Sequence, residues 1–361
     1  MKKNIAIIFG GVSSEHEVSI NSARNIFNAL DKNKYSAVLV GISKQGSWYN
    51  IPDIQLNDLV AINDKTMDQS LTVTLLRSQE KSYCYNLHSK NQTLIDCAFP
   101  IVHGTNGEDG ALQGYLKMLE IPFVGCGVLS SAIGMDKEVM KIIMTNAGIP
   151  NSKYMVIKRD TPVFFEDLHS HLGLPFFIKP ANAGSSVGVH KIKNADDFKV
   201  KLTDAFNYDH KIIAEEFIQG REIEISVMGL NQTPEAAIAG ELIVNHEFYS
   251  YEAKYLDDNG AQIVIPAQVT DEQMNNIKSL ALKTYQSLYC DGLTRVDFFM
   301  KNDGSLIVNE INTLPGFTKI SMYPKMWQAK GLEYPELITR LIQFAFDKEA
   351  YNKKLNLDFR A

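Results

Sequence analysis

RVDFFMKNDGSLIVNEINTLPG, residues 295–316, is the stretch from which the rest of the chain can be read. With period two, Val296-Asp297-Phe298-Phe299-Met300 and Leu306-Ile307-Val308-Asn309-Glu310-Ile311 are two strands rich in aromatic and β-branched residues. Asp303-Gly304 between them predicts a two-residue hairpin turn. That turn pairs residue 302 with 305, which sets Asp297 opposite Glu310 and Arg295 opposite Asn312. Side chains alternate between faces, so these four polar groups share one side of the ribbon. Opposed carboxylates repel unless something neutralises them. A hard cation taking carboxylate and amide oxygens would do so, Mg²⁺ carrying a nucleotide phosphate being the usual case. The competing reading is a solvated hairpin face with a loop one residue longer, which breaks the register.

Working outward, composition narrows the class of protein. The 361 residues are enough for two or three domains, and 45% hydrophobic with 22% charged residues is ordinary globular composition. A net charge of −6 gives no electrostatic reason to expect nucleic acid or an acidic membrane surface. Cys84, Cys97, Cys126 and Cys290 form no C-x-x-C pair and read as reduced thiols. The opening MKKNIAIIFGG has an apolar run too short for a signal-peptide core, and no stretch reaches the roughly 20 apolar residues of a membrane span. A cytoplasmic protein is expected.

The N-terminal third reads as an open α/β sheet. Asn4–Phe9 is a buried parallel strand, Ser14-x-x-Glu17 a capping box opening a helix through about Leu30, and Tyr35–Ile42 the next strand. GGVSSE lacks G-x-G-x-x-G, which removes a dinucleotide-binding reading. Glu15 falls near the carboxyl end of the first strand, where such sheets bind ligands; the plainer role is an acid in a helix's first turn. Residues 45 to about 93 look like an irregular elaboration of this domain. Leu94–Val102 is a further strand, followed by His103-Gly-Thr-Asn-Gly-Glu-Asp-Gly110. Glycine at that density at a strand end points to close backbone approach to a ligand. His103 is either a ligand contact or a satisfied loop histidine. A helix over about 111–120 and a strand at 122–125 complete this unit.

From about Ser130 a helix spans Asp136–Ala147, with strands at Lys153–Ile157, Phe176–Lys179 and Val189–Ile192. Between the last two lies KPANAGSSVGV, a lysine followed by a Gly/Ser loop. Such a loop can fold over phosphates through backbone N–H groups and hydroxyls, although a flexible surface hairpin looks similar. It is not a Walker loop, because G-K-[ST] is absent. Strands follow at Ile212–Ile218, Glu222–Met228 (Glu222, Glu224 and Ser226 alternating with Ile223, Ile225 and Val227) and about Ala236–Val244. Residues 245–260, HEFYSYEAKYLDD and flanks, are long and aromatic enough for a lid. Amphipathic helices are expected over Asp271–Tyr289 and Tyr334–Phe346.

Together these motifs resemble the ATP-grasp fold and, within it, the D-alanine–D-alanine ligase family. The carrying stretches are GGVSSEHEVS, VHGTNGEDGALQG, MDKEVMK, KPANAGSSVGV, EEFIQGREIE, YEAKYL, RVDFF and NEINTLPGFT, in that order along nearly the whole chain. The resemblance implies an N-terminal open parallel α/β domain over 1–129, with an insertion at 45–93 as in longer members. Two α+β domains over 130–220 and 221–361 would clasp ATP.

It also implies roles. Glu15 would hold the first D-alanine's ammonium, with His103 near its carboxylate. Lys137 and Lys179 would contact ATP phosphates under a loop containing Ser185, Ser186 and Val187. Glu215 and the backbone of Phe217 and Ile218 would meet the adenine, and Glu222 the ribose. Asp297, Glu310 and Asn312 would bind two Mg²⁺, for which Mn²⁺ can substitute. Arg295 and the Gly316 N–H would stabilise the phosphoryl group and oxyanion, and Ser321 and Met322 would position the second D-alanine's carboxylate. Lys254 and Tyr255 would lie on the lid, Tyr255 bonding Ser185 and Glu15. The implied reaction joins two D-alanines through an acyl phosphate with ATP as co-substrate, for peptidoglycan precursors, in a homodimer. D-lactate as second substrate is the nearer alternative, disfavoured by the intact Glu252-Ala-Lys-Tyr255; a nucleotide-binding protein without turnover is the more distant one.

Overall fold

The first sheet forms from continuous apolar runs, buried on both faces as parallel strands require. The computed structural model describes residues 2–185, 187–244 and 261–355. Ser186, Lys254 and Tyr255 lie outside the described residues. β1 (Lys3–Gly10) leads through α1 (His16–Ala29) to β2 (Tyr35–Ile42), which pairs parallel with β1. β3 (Trp48–Asn50) adds antiparallel to β2. The expected capping box does not form. The helix begins at His16, the Glu15 N–H donates to Ser13 Oγ at 3.1 Å, and the Glu17 carboxylate is drawn away to Lys44.

The segment from 45 to 93 is more ordered than its sequence indicates. β4 (Val73–Ser78), β5 (Lys81–Asn86) and β6 (Gln92–Ile95) form an antiparallel meander. Val73, Leu75 and Cys84 cover the face of the first sheet that presents Ala6, Ile8, Val38 and Val40. The strand expected over Leu94–Val102 is two strands in two sheets. β6 stops at Ile95, and β7 (Cys97–Pro100) pairs parallel with β1. Asp96 divides them, its carboxylate accepting from the Asn4 N–H at 2.8 Å and from Lys3 Nζ at 3.2 Å. The strand expected at 122–125 is reduced to a single bridge, Phe123 with Ala98.

Three helices follow, α2 (Ala111–Met118), α3 (Val128–Met135) and α4 (Lys137–Asn146), the last capped by Asp136, whose carboxylate accepts from the N–H groups of Glu138 and Val139. The second sheet has β8 (Tyr154–Lys158), β9 (Phe176–Pro180), β10 (His190–Ile192) and β11 (Lys211–Glu216) in antiparallel order β10-β9-β11-β8. Helices α5 (Phe165–Leu172) and α6 (Ala195–Ala205) pack on one face through Leu168, Leu172 and Phe198. The Gly/Ser loop joins β9 to β10.

The third sheet is built on β12 (Arg221–Gly229), with β13 (Glu235–Ala236) at its end, β14 (Gly240–Val244) and β15 (Ala261–Val264) on one side. Helix α7 (Asp271–Ser287) covers its apolar face. On the other side of β12 stand β16 (Gly292–Met300) and β17 (Leu306–Asn312), followed by α8 (Met322–Ala329) and α9 (Tyr334–Asn352).

The hairpin between β16 and β17 corrects the sequence reading in an instructive way. Its turn is not two residues long. Lys301 N–H donates to Ser305 O at 2.9 Å, and Gly304 sits at φ +81°, so the turn is one residue longer, with Gly304 left-handed. Next to it Met300 faces Leu306 and Phe298 faces Val308. Asn309 is then an extra residue on β17, a bulge that restores the expected pairs Asp297 with Glu310 and Arg295 with Asn312.

One core runs between units. Ile5, Ile7 and Phe99 from the first sheet pack in a single cluster with Met228, Leu293, Phe317, Trp327 and Leu341. Among the described residues no helix is long and apolar enough to cross a membrane.

Candidate active site

The polar face of the third sheet is set by strand alternation. β12 contributes Glu222, Glu224 and Ser226, with Glu224 opposite Asp297 and Ser226 opposite Arg295. β17 contributes Glu310 and Asn312. Three carboxylates therefore surround one guanidinium. Arg295 Nε and Nη2 each donate to Asp297 at 2.7 Å, and Nε lies 3.1 Å from Glu224 Oε2. Burial alone favours loss of the Arg295 proton, but Asp297, Glu224 and Glu310 hold its pKa well above the usual value. The repulsion foreseen between Asp297 and Glu310 is thus relieved in part by the Arg295 guanidinium. Asn312 Oδ1 accepts from the Leu314 N–H at 3.0 Å, tying the strand end to the segment that follows. Among the described residues no group of three or more His, Cys, Asp or Glu is arranged to hold a metal ion.

Glu310 also acts electrostatically on a second cluster. Lys179, on β9, donates from Nζ to Glu215 Oε2, on β11, at 3.0 Å. Lys141 Nζ lies 3.5 Å from Glu215 Oε1 and donates to Ser152 Oγ at 2.8 Å, while Ser152 Oγ lies 3.4 Å from Glu215 Oε2. Burial pushes the Glu215 carboxyl up, but Lys141, Lys179 and Lys137 outweigh it and bring its pKa down to about 2. Burial likewise opposes the charge on Lys179, and Glu215 with Glu310 more than restores it. Lys137 Nζ donates at 2.7 Å to the carbonyl of Ala183, at the entry to the Gly/Ser loop. In that loop Ser185 has φ +52°, and the Val187 N–H donates to Gly184 O at 3.2 Å. Phe217 is exposed just beyond β11, its ring 6.1 Å from that of Phe177 and 5.0 Å from Lys191 Nζ; Ile218 follows, half-buried.

A third cluster gathers the N-terminal candidates. Gly104 has φ +76°, and a Cβ there would lie 2.7 Å from Ser13 Oγ and 3.4 Å from Glu15 Oε2, so the His103 loop lies directly on the Glu15 turn. His103 is buried, with Nδ1 3.4 Å from Glu108 Oε1 and Nε2 3.3 Å from Ser22 Oγ. Ser22 Oγ in turn accepts from the Phe317 N–H at 3.2 Å. Burial disfavours the imidazolium, yet Glu108, Glu15 and a hydrogen bond to the Leu314 backbone raise its pKa above the ordinary value. The Thr313–Phe317 segment therefore joins this cluster to the strand bearing Glu310 and Asn312. Gly316 lies against Ser321, whose Oγ would stand 2.9 Å from a Cβ at 316 and accepts from the Thr318 N–H at 2.9 Å. Met322 opens α8 and is buried.

Comparison with known proteins fits this arrangement. Residues 4–126 match the family described as D-ala D-ala ligase N-terminus, and residues 143–343 the one described as D-ala D-ala ligase C-terminus. The chain belongs to the D-alanine–D-alanine ligase family. A D-alanine–D-alanine ligase of Oceanobacillus iheyensis is 46% identical, and D-alanine–D-alanine ligase A of Salmonella typhimurium 46% identical, each aligned over 98% of both chains. Among solved structures, the ligase from Coxiella burnetii superposes with a TM-score of 0.85 at 34% identity, covering 98% of each chain. A D-Ala:D-Ser ligase from Enterococcus faecalis superposes with a TM-score of 0.83 at 33% identity, covering 96% of this chain and 100% of that one. The fold is the ATP-grasp arrangement of this ligase family.

Sequence reading of this family member missed Ser22, Glu108, Lys141, Ser152 and Glu224. Two of them carry a usable signal. Lys141 stands one helical turn after Lys137 on the same face, and Glu224 shares the alternating face of Glu222. Ser22 and Ser152 acquire their partners through tertiary contacts, with Phe317 and Lys141, whereas Glu108 meets His103 five residues away within one loop.

Proposed function

We propose that this protein joins two D-alanine molecules into D-alanyl-D-alanine at the expense of ATP. The observation that carries the reading is the continuity between the His103 cluster and β17. A substrate carboxylate bound near His103 would lie at one end of a segment whose other end is the carboxylate face, which would hold phosphates through divalent ions.

The reading assigns the ATP phosphates to Lys137, Lys179 and the loop of Ser185, Ser186 and Val187. The base goes to Glu215 with the backbone of Phe217 and Ile218, and the ribose to Glu222. The first D-alanine's ammonium goes to Glu15, with His103 beside its carboxylate. Its carboxylate oxygen takes the γ-phosphoryl group, ADP leaves, and the amine nitrogen of the second D-alanine, held by Ser321 and Met322, attacks the acyl carbon. The tetrahedral intermediate expels phosphate and the nitrogen loses a proton. Arg295 and the Gly316 N–H face the charge that develops on phosphoryl and acyl oxygens. In this reading Tyr255 and Lys254, outside the described residues, would help exclude water from the acyl phosphate.

Asp297, Glu310 and Asn312 fit a divalent ion by the chemistry of their donors, hard oxygens from two opposed carboxylates and an amide. Each oxygen that already accepts one hydrogen bond keeps a further lone-pair direction. Two Mg²⁺ ions, or Mn²⁺ in their place, would supply charge neutralisation on the phosphates. Domain limits near 129 and 220, a homodimer and a cytoplasmic setting complete the reading; ATP as co-substrate and four unpaired, buried thiols support the setting.

ADP release with ATP, Mg²⁺ and D-alanine tests the proposal, repeated with L-alanine and with D-alanine plus D-serine or D-lactate. Turnover on D-alanine alone is expected. Release only when D-serine or D-lactate is added moves the acceptor assignment, and no release with ATP still bound overturns the reading.

A further inference from the structure

Lys141 is fully buried, yet the reading above leaves it without a task. Its Nζ donates to Ser152 Oγ at 2.8 Å and lies 3.5 Å from Glu215 Oε1, an oxygen that is itself buried and accepts no hydrogen bond from the described residues. The Tyr154 ring, 5.7 Å from Nζ, lies against the same ammonium. Glu215 has a second counter-ion, Lys179, at 3.0 Å. The two lysines differ in one respect. Lys179 is also the proposed phosphate ligand, and an ammonium that turns to a phosphate must loosen its hold on Glu215. Lys141, enclosed by Ser152, Tyr154 and Glu215, is closed off from solvent.

We propose that Lys141 is a positioning residue of the nucleotide site, the resident counter-ion that keeps Glu215 an oriented carboxylate when Lys179 moves to the phosphates. The inference rests on the reading that Glu215 meets the base. A carboxylate only accepts hydrogen bonds, so it selects a base with an exocyclic amine, as in adenine. A buried carboxylate stripped of its counter-ion takes up a proton instead. Its hydroxyl then donates, which suits the carbonyl of hypoxanthine. Lys141 thereby sets base selectivity through Glu215 without touching the nucleotide.

The test measures dissociation constants of ADP and IDP by calorimetry on the full chain, alongside steady-state constants with ATP. In the unaltered protein ADP binds more tightly than IDP. For Lys141→Met the ADP constant is expected to rise about tenfold or more, a charged hydrogen bond's worth, with IDP changing much less. The KM for ATP follows the ADP constant while kcat at saturating ATP stays within about threefold. Ser152→Ala, which keeps the lysine and loosens its link, is expected to move the ADP/IDP ratio in the same direction by a smaller factor, and it carries the test if Lys141→Met does not fold. Equal weakening of both nucleotides, or an unchanged ratio in a folded variant, overturns the proposal. Glu215→Gln separates the two levels. If it leaves both nucleotides bound as before, the placement of the base against Glu215 is wrong. If it alters the ratio while the Lys141 and Ser152 variants do not, only the role of Lys141 falls.

Discussion

Asp297 and Glu310 stand opposite each other because two departures from a regular hairpin cancel: a turn one residue too long for the expected register, and the extra residue Asn309 that restores it. The outcome is an acidic pair flanked by Arg295 and Asn312, with Arg295 engaging Asp297 through two hydrogen bonds. Glu310 faces both this guanidinium and the Lys179 cluster electrostatically.

Glu310→Gln keeps the shape of that pair and removes one negative charge. Turnover is expected to fall by about 10²-fold or more, with a higher Mg²⁺ concentration needed for half-maximal rate. Initial rates across a Mg²⁺ series check this; an unchanged Mg²⁺ dependence would remove Glu310 from the metal set.

His103 owes its raised pKa to Glu108 and Glu15 acting against burial. In Glu108→Gln the main partner is neutral, and the imidazole is expected to titrate at lower pH than in the unaltered protein. Histidine Cε1–H resonances followed by NMR from pH 5 to 8.5 give the answer directly. No downward movement would contradict the pairing.

Gly107 has no room for a methyl group, since a Cβ there would lie 1.8 Å from the Val102 carbonyl oxygen. Gly107→Ala is expected to cost about 2–4 kcal/mol through backbone displacement in the His103 loop. Thermal unfolding compared with Gly173→Ala, whose Cβ meets nothing within 4 Å but whose φ is +77°, separates contact from backbone strain.

Glu215, with its pKa near 2 against a usual 4.5, contributes stability that is present above pH 4.5 and lost as pH falls towards 2. The contribution is on the order of 3 kcal/mol. The unaltered protein should therefore lose stability steeply between pH 4.5 and 2, and Glu215→Gln, already less stable at pH 7, should lose less over that interval. Denaturant midpoints at several pH values decide it; parallel curves would rule out the assignment.

The fold was legible wherever a single physical pattern governed a segment. Period-two alternation placed Arg295, Asp297, Glu310 and Asn312 on one face, and apolar runs located β1 and β2. The pairing of Asp297 with Glu310 came out right from a turn that is wrong in detail, because a bulge leaves no mark in composition. Local signals failed where a distant partner competed. Ser14-x-x-Glu17 reads as a capping box, but Lys44 takes the glutamate. Leu94–Val102 reads as one strand, but Asp96 is drawn to the backbone and side chain of the chain's first residues. The meander of β4 to β6 was hidden because its strands are short and mostly polar outside Val73, Leu75 and Cys84. Lys141 was passed over because a lysine on a helix is ordinarily solvated, and only the assembled fold shows it enclosed.

The core that joins Phe99 to Phe317, Trp327 and Leu341, together with the bond from Phe317 to Ser22, bears on how this protein can be recombined. A hybrid carrying the first 126 residues of one relative and the remainder of another inherits half of a packed interior and half of the His103 surroundings from each parent. If the first D-alanine binds beside His103 as proposed, exchange of the N-terminal third alone does not transplant a substrate preference cleanly; the donor's segment around residues 313–317 has to travel with it.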